Sequence, residues 1–103
     1  MANGELKRIK SLINSKRMKA SREFLHILCG KIRFKIALAL SKTKIGLNVT
    51  ELSQILDASL SRTSHQLQIL RKHKLVVAKR TNREVVYSLA NHRIRFFSFL
   101  VEN

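Results

Sequence analysis

The chain has 103 residues, 45% of them hydrophobic, which suits one small domain with a modest core. Its 21 Lys and Arg outnumber 6 Asp and Glu, a formal net charge of +15 that favours a polyanionic partner, nucleic acid or an anionic membrane surface. No apolar run is long enough to span a membrane, the basic start lacks a secretion signal's apolar region, and the lone Cys29 excludes an internal disulfide; a reducing cytoplasm, on the nucleoid, is the expected setting.

Taken in chain order, residues 1–21 form a basic arm: Lys7, Arg8, Lys10, Lys16, Arg17 and Lys19 stand against Glu5 alone. Leu6, Ile9, Leu12 and Ile13 give it a short helical stripe. Such an arm can touch phosphates, lie on lipid, pack on a partner or remain a frayed, solvated extension. A domain over 22–103 follows. Residues 23–28 read as a helix with Phe24, Leu25, Ile27 and Leu28 mostly buried, and Cys29-Gly30 as its break, Gly30 being able to take a helix-ending conformation. Cys29, between apolar helices, reads as a small buried hydrophobe in preference to a redox switch. Residues 31–40 are apolar almost all round, with Ile32, Phe34, Ile36, Ala37, Leu38 and Leu40, and belong in a core. Arg33 among them is predicted to make an ion pair or a phosphate contact. Residues 41–47 read as a loop whose Lys42 and Lys44 either hold phosphates or are simply solvated. His26 and His73 are expected at or near the surface.

Residues 48–75 read as two short amphipathic helices joined by a tight turn. Thr50 is the predicted N-cap of the first, and Leu52, Ile55 and Leu56 make its apolar stripe. Asp57-Ala58-Ser59 breaks that helix, and Ser59 caps the next. There Leu60, Thr63, Ser64, Leu67 and Leu70 share one face, with Ser64 at its boundary, while Ser61, Arg62, His65, Gln68 and Lys72 point away, as does Ile69. A helix with that outward row suits a DNA major groove; an ordinary solvated helix pair is the plain alternative. Two strands follow, at 75–80 and 85–89, around Thr81-Asn82-Arg83-Glu84, and Asn82 tolerates the positive φ of a tight hairpin. Helix, helix and a hairpin with a basic tip describe a winged helix-turn-helix, mostly α with a β-hairpin wing in an α+β arrangement. Residues 91–101 read as a last helix, capped by Asn91, with Ile94, Phe97, Leu100 and Val101 on one stripe and an apolar patch left over.

Arg33-Phe34-Lys35-Ile36, Val49-Thr50-Glu51-Leu52 and Leu56-Asp57-Ala58-Ser59, in that order, resemble the ArsR-type winged-helix regulators. So do Ser61, Ser64, Leu67 and Ile69-Leu70, then Leu75-Val76, Arg80 and Val86-Tyr87-Ser88-Leu89, without gaps from about residue 22 to 100. Three departures stand out. Lys74 replaces the family's usual Gly after the recognition helix, predicting a C-cap that is either strained or differently shaped; Gln66 replaces a frequent His, and Asn82 a frequent wing Gly. They bear on the fine DNA contacts, not on the fold.

The resemblance implies a homodimer built from the first and last helices, here Leu6, Ile9 and Ile13 with Ile94, Phe97, Leu100 and Val101. The reading is then a sequence-specific regulator of double-stranded DNA, a repressor, whose two recognition helices sit about 34–36 Å apart on a near-palindromic site. Ser59, Ser61, Arg62, Ser64, His65, Gln68 and Lys72 are the candidates on the recognition helix, Arg62 for guanine. Lys42, Lys44, Thr50, Lys79, Arg80 and Arg83 are the candidates of the wing and backbone contacts. The family's metal thiolates fall where this chain has Val49-Thr50-Glu51-Leu52, and its last-helix ligands where it has only His92, so neither a metal site nor a cofactor is expected. No small-molecule ligand can be inferred. A Gly-rich phosphate loop, paired carboxylates and a Ser, His and Asp set are all missing, so no enzyme is expected. Two other readings remain: an architectural protein that coats DNA without sequence preference, and an interaction module binding protein or RNA with its arm on a membrane. The polar recognition face opposes the last.

Overall fold

The computed structural model describes residues 2–90. The predictions for residues 91–101, including the Asn91 cap, His92 and the Ile94, Phe97, Leu100 and Val101 stripe, lie outside the described residues. Five helices and a hairpin follow one another: α1 Asn3–Ile13, α2 Lys16–Leu28, α3 Lys31–Ser41, α4 Val49–Leu56, α5 Leu60–Lys72, β1 Val76–Thr81 and β2 Glu84–Leu89.

α2 begins at Lys16 rather than at residue 23, since residues 16–22 have no apolar period but are mostly good helix formers. Ser15 starts the helix, its Oγ accepting from Met18 N at 3.2 Å. Of its predicted apolar residues, Leu28 is buried and Phe24 and Ile27 half-buried, while Leu25 is exposed, because it lies a third of a turn off the face they share. Cys29 is exposed, not buried: it caps α2 in the turn to α3, outside the packed face that ends at Leu28. Gly30 does not adopt a left-handed conformation. With φ −65° it is the N-cap of α3.

α3 is the hub, touching α2, α4, α5 and β2, and Ile36, Ala37 and Leu40 are its buried residues. Around it gather Leu28, Leu52, Leu67, Leu70, Leu75, Val76, Tyr87 and Leu89 to complete the core. α4 is capped by Asn48 instead of Thr50. The Asn48 Oδ1 accepts from Glu51 N at 2.8 Å and the Asn48 N–H donates to Glu51 Oε1 at 2.9 Å, a reciprocal box that satisfies two free backbone donors. Leu52 and Ser53 are buried and Leu56 half-buried, so the inward face centres away from Ile55, which is exposed. Asp57, at φ 54°, ends α4, and Ser59 opens α5 by accepting from Arg62 N at 3.1 Å. The inward face of α5 starts only at Thr63. Leu60, in the first turn, is exposed.

The strands pair antiparallel from Val76 opposite Leu89 to Thr81 opposite Glu84, which leaves Asn82-Arg83 as a two-residue turn. Asn82 takes φ 54°, as such a hairpin demands. The segment read as a loop adds a single bridge to β2: Leu47 N donates to Tyr87 O at 2.9 Å and Tyr87 N to Leu47 O at 2.8 Å. Gly46 brings the chain to that bridge at φ 86°.

Candidate nucleic-acid interface

α5 is a 13-residue helix held on one side by Thr63, Leu67 and Leu70. That anchoring leaves Ser61, Arg62, His65, Gln68 and Lys72 exposed on the opposite side, as the spacing predicted. At 1.5 Å per residue the helix is about 20 Å long, a size that enters a major groove. Ser64 is half-buried at the edge of this row, and so is Ile69, although the helical period points it outward. Ser59 is exposed, but its hydroxyl is already engaged as the cap, so its first role is to start the helix.

The remaining candidates are exposed as well: Lys42 and Lys44 before α4, Thr50 in its first turn, and Lys79, Arg80 and Arg83 on the wing. Alternation along β1 sends Lys79 and Arg80 to opposite faces of the ribbon. One flat surface therefore cannot meet both except by closing around the hairpin tip, where Arg83 sits in the turn. Among the described residues, no group of three or more His, Cys, Asp and Glu is placed to hold a metal ion, and no helix is long and apolar enough to cross a membrane.

Two residues outside the predicted set shape this surface. Asn48, besides capping α4, donates from Nδ2 to Glu84 Oε2 at 3.1 Å and so ties the start of the helix-turn-helix to the base of the wing turn. The Asn-x-x-Glu spacing is a capping signature and could have identified it. Arg33 makes no ion pair among the described residues. Its Nε donates to Ile27 O at 2.7 Å and its Nη1 to Gln66 Oε1 at 2.9 Å, so that side chain lies between the end of α2 and α5 and bonds neutral oxygens of both. On α1, Leu6, Ile9 and Ile13 fall on one face and are 51%, 43% and 65% exposed.

Residues 30–77 match the model of the bacterial regulatory protein, arsR family. A transcriptional repressor SmtB homolog from Synechocystis sp. (strain ATCC 27184 / PCC 6803 / Kazusa) is 38% identical over 72 residues, 70% of this chain and 53% of that protein, so the chain spans about half the length of this curated relative. The transcriptional repressor PagR of Bacillus anthracis has a similar structure, with a TM-score of 0.72 and 30% identity over 82% of this chain and 97% of that one. Reduced HlyU from Vibrio cholerae N16961 gives a TM-score of 0.73 at 26% identity, over 85% and 95% of the two chains. The helix-turn-helix and wing, the match across α3, α4 and α5, and the likeness to nearly all of PagR together make this chain a member of the arsR family of bacterial regulatory proteins.

Proposed function

We propose that the protein is a transcription regulator, a repressor, that binds a near-palindromic duplex as a homodimer and does so without a metal or other cofactor. The carrying observation is the outward face of α5: Ser61, Arg62, His65 and Gln68 stand free on a helix whose other side is locked into the core. Arg62 is assigned to guanine and the others, with Ser64 at the edge, to neighbouring base edges. Lys42, Lys44, Thr50, Lys72, Lys79, Arg80 and Arg83 supply phosphate contacts, and the +15 charge draws the duplex in. Leu6, Ile9 and Ile13 join a subunit contact with Ile94, Phe97, Leu100 and Val101. Residues 1–21 serve as the arm and residues 22–103 as the DNA-binding domain, working on the nucleoid in the cytoplasm. Two relatives are themselves named transcriptional repressors, and the family is one of regulators rather than enzymes.

The test is a selection of bound duplexes from random DNA at about 0.15 M salt, where non-specific binding is weakened. An inverted repeat is the expected product, and added zinc is expected to leave it unchanged. A zinc-dependent loss of binding would overturn the metal-free part of the reading. Binding without any motif would favour an architectural protein, which the dispersed positive charge also suits.

A further inference from the structure

We infer that Arg33 is the positioning residue of the recognition helix, fixing the rotation of α5 about its own axis by holding Gln66. The inference rests on α5 being the DNA-reading helix. The guanidinium of Arg33 is half-buried and bonds two elements at once: the Ile27 carbonyl near the end of α2 at 2.7 Å and the Gln66 side-chain carbonyl on α5 at 2.9 Å. A cation on one of the last carbonyls of a helix is well placed against its dipole. Gly30 makes the arrangement possible, because a Cβ there would fall 2.5 Å from Arg33 Cζ and from Nη2. The guanidinium thus lies across the bare backbone of the α2–α3 turn.

Apolar contact alone restrains α5 poorly in rotation, being non-directional. Leu67 and Leu70 set how deep the helix sits, but Thr63 Oγ1, buried on the same side, has no hydrogen-bond partner among the described residues. The bond to Gln66 is directional and charge-assisted, hence the stronger restraint. Gln66 follows Arg62 by one helical turn, so a pull on it fixes the direction in which Arg62 points. A rotation of about 10° shifts a group at the ~6 Å helix surface by roughly 1 Å, enough to spoil a bidentate contact with a base. Arg33 touches no base itself. It acts through Gln66.

Two readouts test this, one with DNA and one without. Arg33→Lys keeps the charge but lacks the fork that reaches two acceptors; Gln66→Met keeps the length and loses the acceptor. Each is expected to lower the ratio of selected-site to random-duplex affinity about tenfold, with random-duplex affinity unchanged within about twofold. The double variant should do no worse than the poorer single one, and Gln66→Glu, which keeps an acceptor oxygen, should retain the ratio. In the DNA-free protein, residual dipolar couplings should show α5 turned relative to α3 in Arg33→Lys and in Gly30→Ala, which displaces the guanidinium without removing it. Additive losses in the double variant, or couplings identical to the parent, would overturn the inference. Should the parent protein select no site, it is the DNA reading that fails, and the couplings alone then decide the role of Arg33.

Discussion

Among the described residues, three non-glycine residues and one glycine take positive φ, and two of these four lead to opposite predictions. Lys74 follows α5 at φ 61°, in the left-handed cap position for which the resemblance predicted Gly. A side chain there is strained, and Lys74→Gly should raise stability by about 1 kcal/mol, less the greater freedom of Gly in the unfolded chain. Urea denaturation would show a higher midpoint at unchanged slope; a midpoint that stays or falls means that the strain at the cap does not exceed the entropic cost of Gly. Gly46 is the reverse case. At φ 86° an added Cβ would sit 2.5 Å from Val86 Cγ1 and 2.7 Å from Tyr87 O, atoms of a packed strand. Gly46→Ala should therefore cost about 2 kcal/mol and part Leu47 from Tyr87. Slow exchange of the Leu47 and Tyr87 amides in the parent, lost in the variant, would show the bridge breaking. An alanine variant with both amides still protected would mean that the loop gives way instead.

At the scale of elements, the recognition helix and the wing should fail differently when stripped of charge. Arg62→Ala should cost about 1–3 kcal/mol on the selected site and little on random DNA, since a base contact carries sequence information. Equal losses on both duplexes would reduce Arg62 to a phosphate contact. Arg83→Ala, at the hairpin tip, should weaken binding to every sequence and lower the salt slope by about one; an unchanged slope would take the wing tip out of the interface. Both elements were legible in the sequence. Their signals are local: Ser59 before a helical period, Asn82 between alternating strands, and a polar row opposite Thr63, Leu67 and Leu70. What escaped depends on what each element meets in space. Ile55 and Leu60 fit the apolar period of their helices, yet only contact with α3 decides which part of each stripe is covered, and both are exposed. Residues 16–22 carried no period because α2 begins outside the core. The partners of Arg33 lie on two other elements, and the rung from Leu47 to Tyr87 spans 40 positions, beyond any local pattern.

For the molecule as a whole, the question is whether two subunits bind as one. A near-palindromic site is read cooperatively only when two recognition helices are fixed at one spacing, and α1 offers an uncovered stripe in Leu6, Ile9 and Ile13. Its burial against a second subunit is the simplest use for apolar side chains on a helix that contributes nothing to the core. Substituting Ile9→Asn together with Ile13→Asn removes two of that stripe's three side chains while leaving the +15 charge intact, so electrostatic attraction to DNA is not the variable being changed. Sedimentation equilibrium should show the parent as a dimer and the double variant as a monomer. Affinity for the inverted repeat should then fall by about a hundredfold or more, because the second half-site no longer benefits from a tethered partner. Affinity per subunit for random DNA should stay nearly constant, and the salt slope on the inverted repeat should drop to roughly half, one subunit's phosphate contacts having been lost. A variant that remains dimeric would remove α1 from the interface and leave the contact to residues 91–101. A parent that sediments as a monomer, yet still selects an inverted repeat, would mean that the DNA itself brings the two copies together.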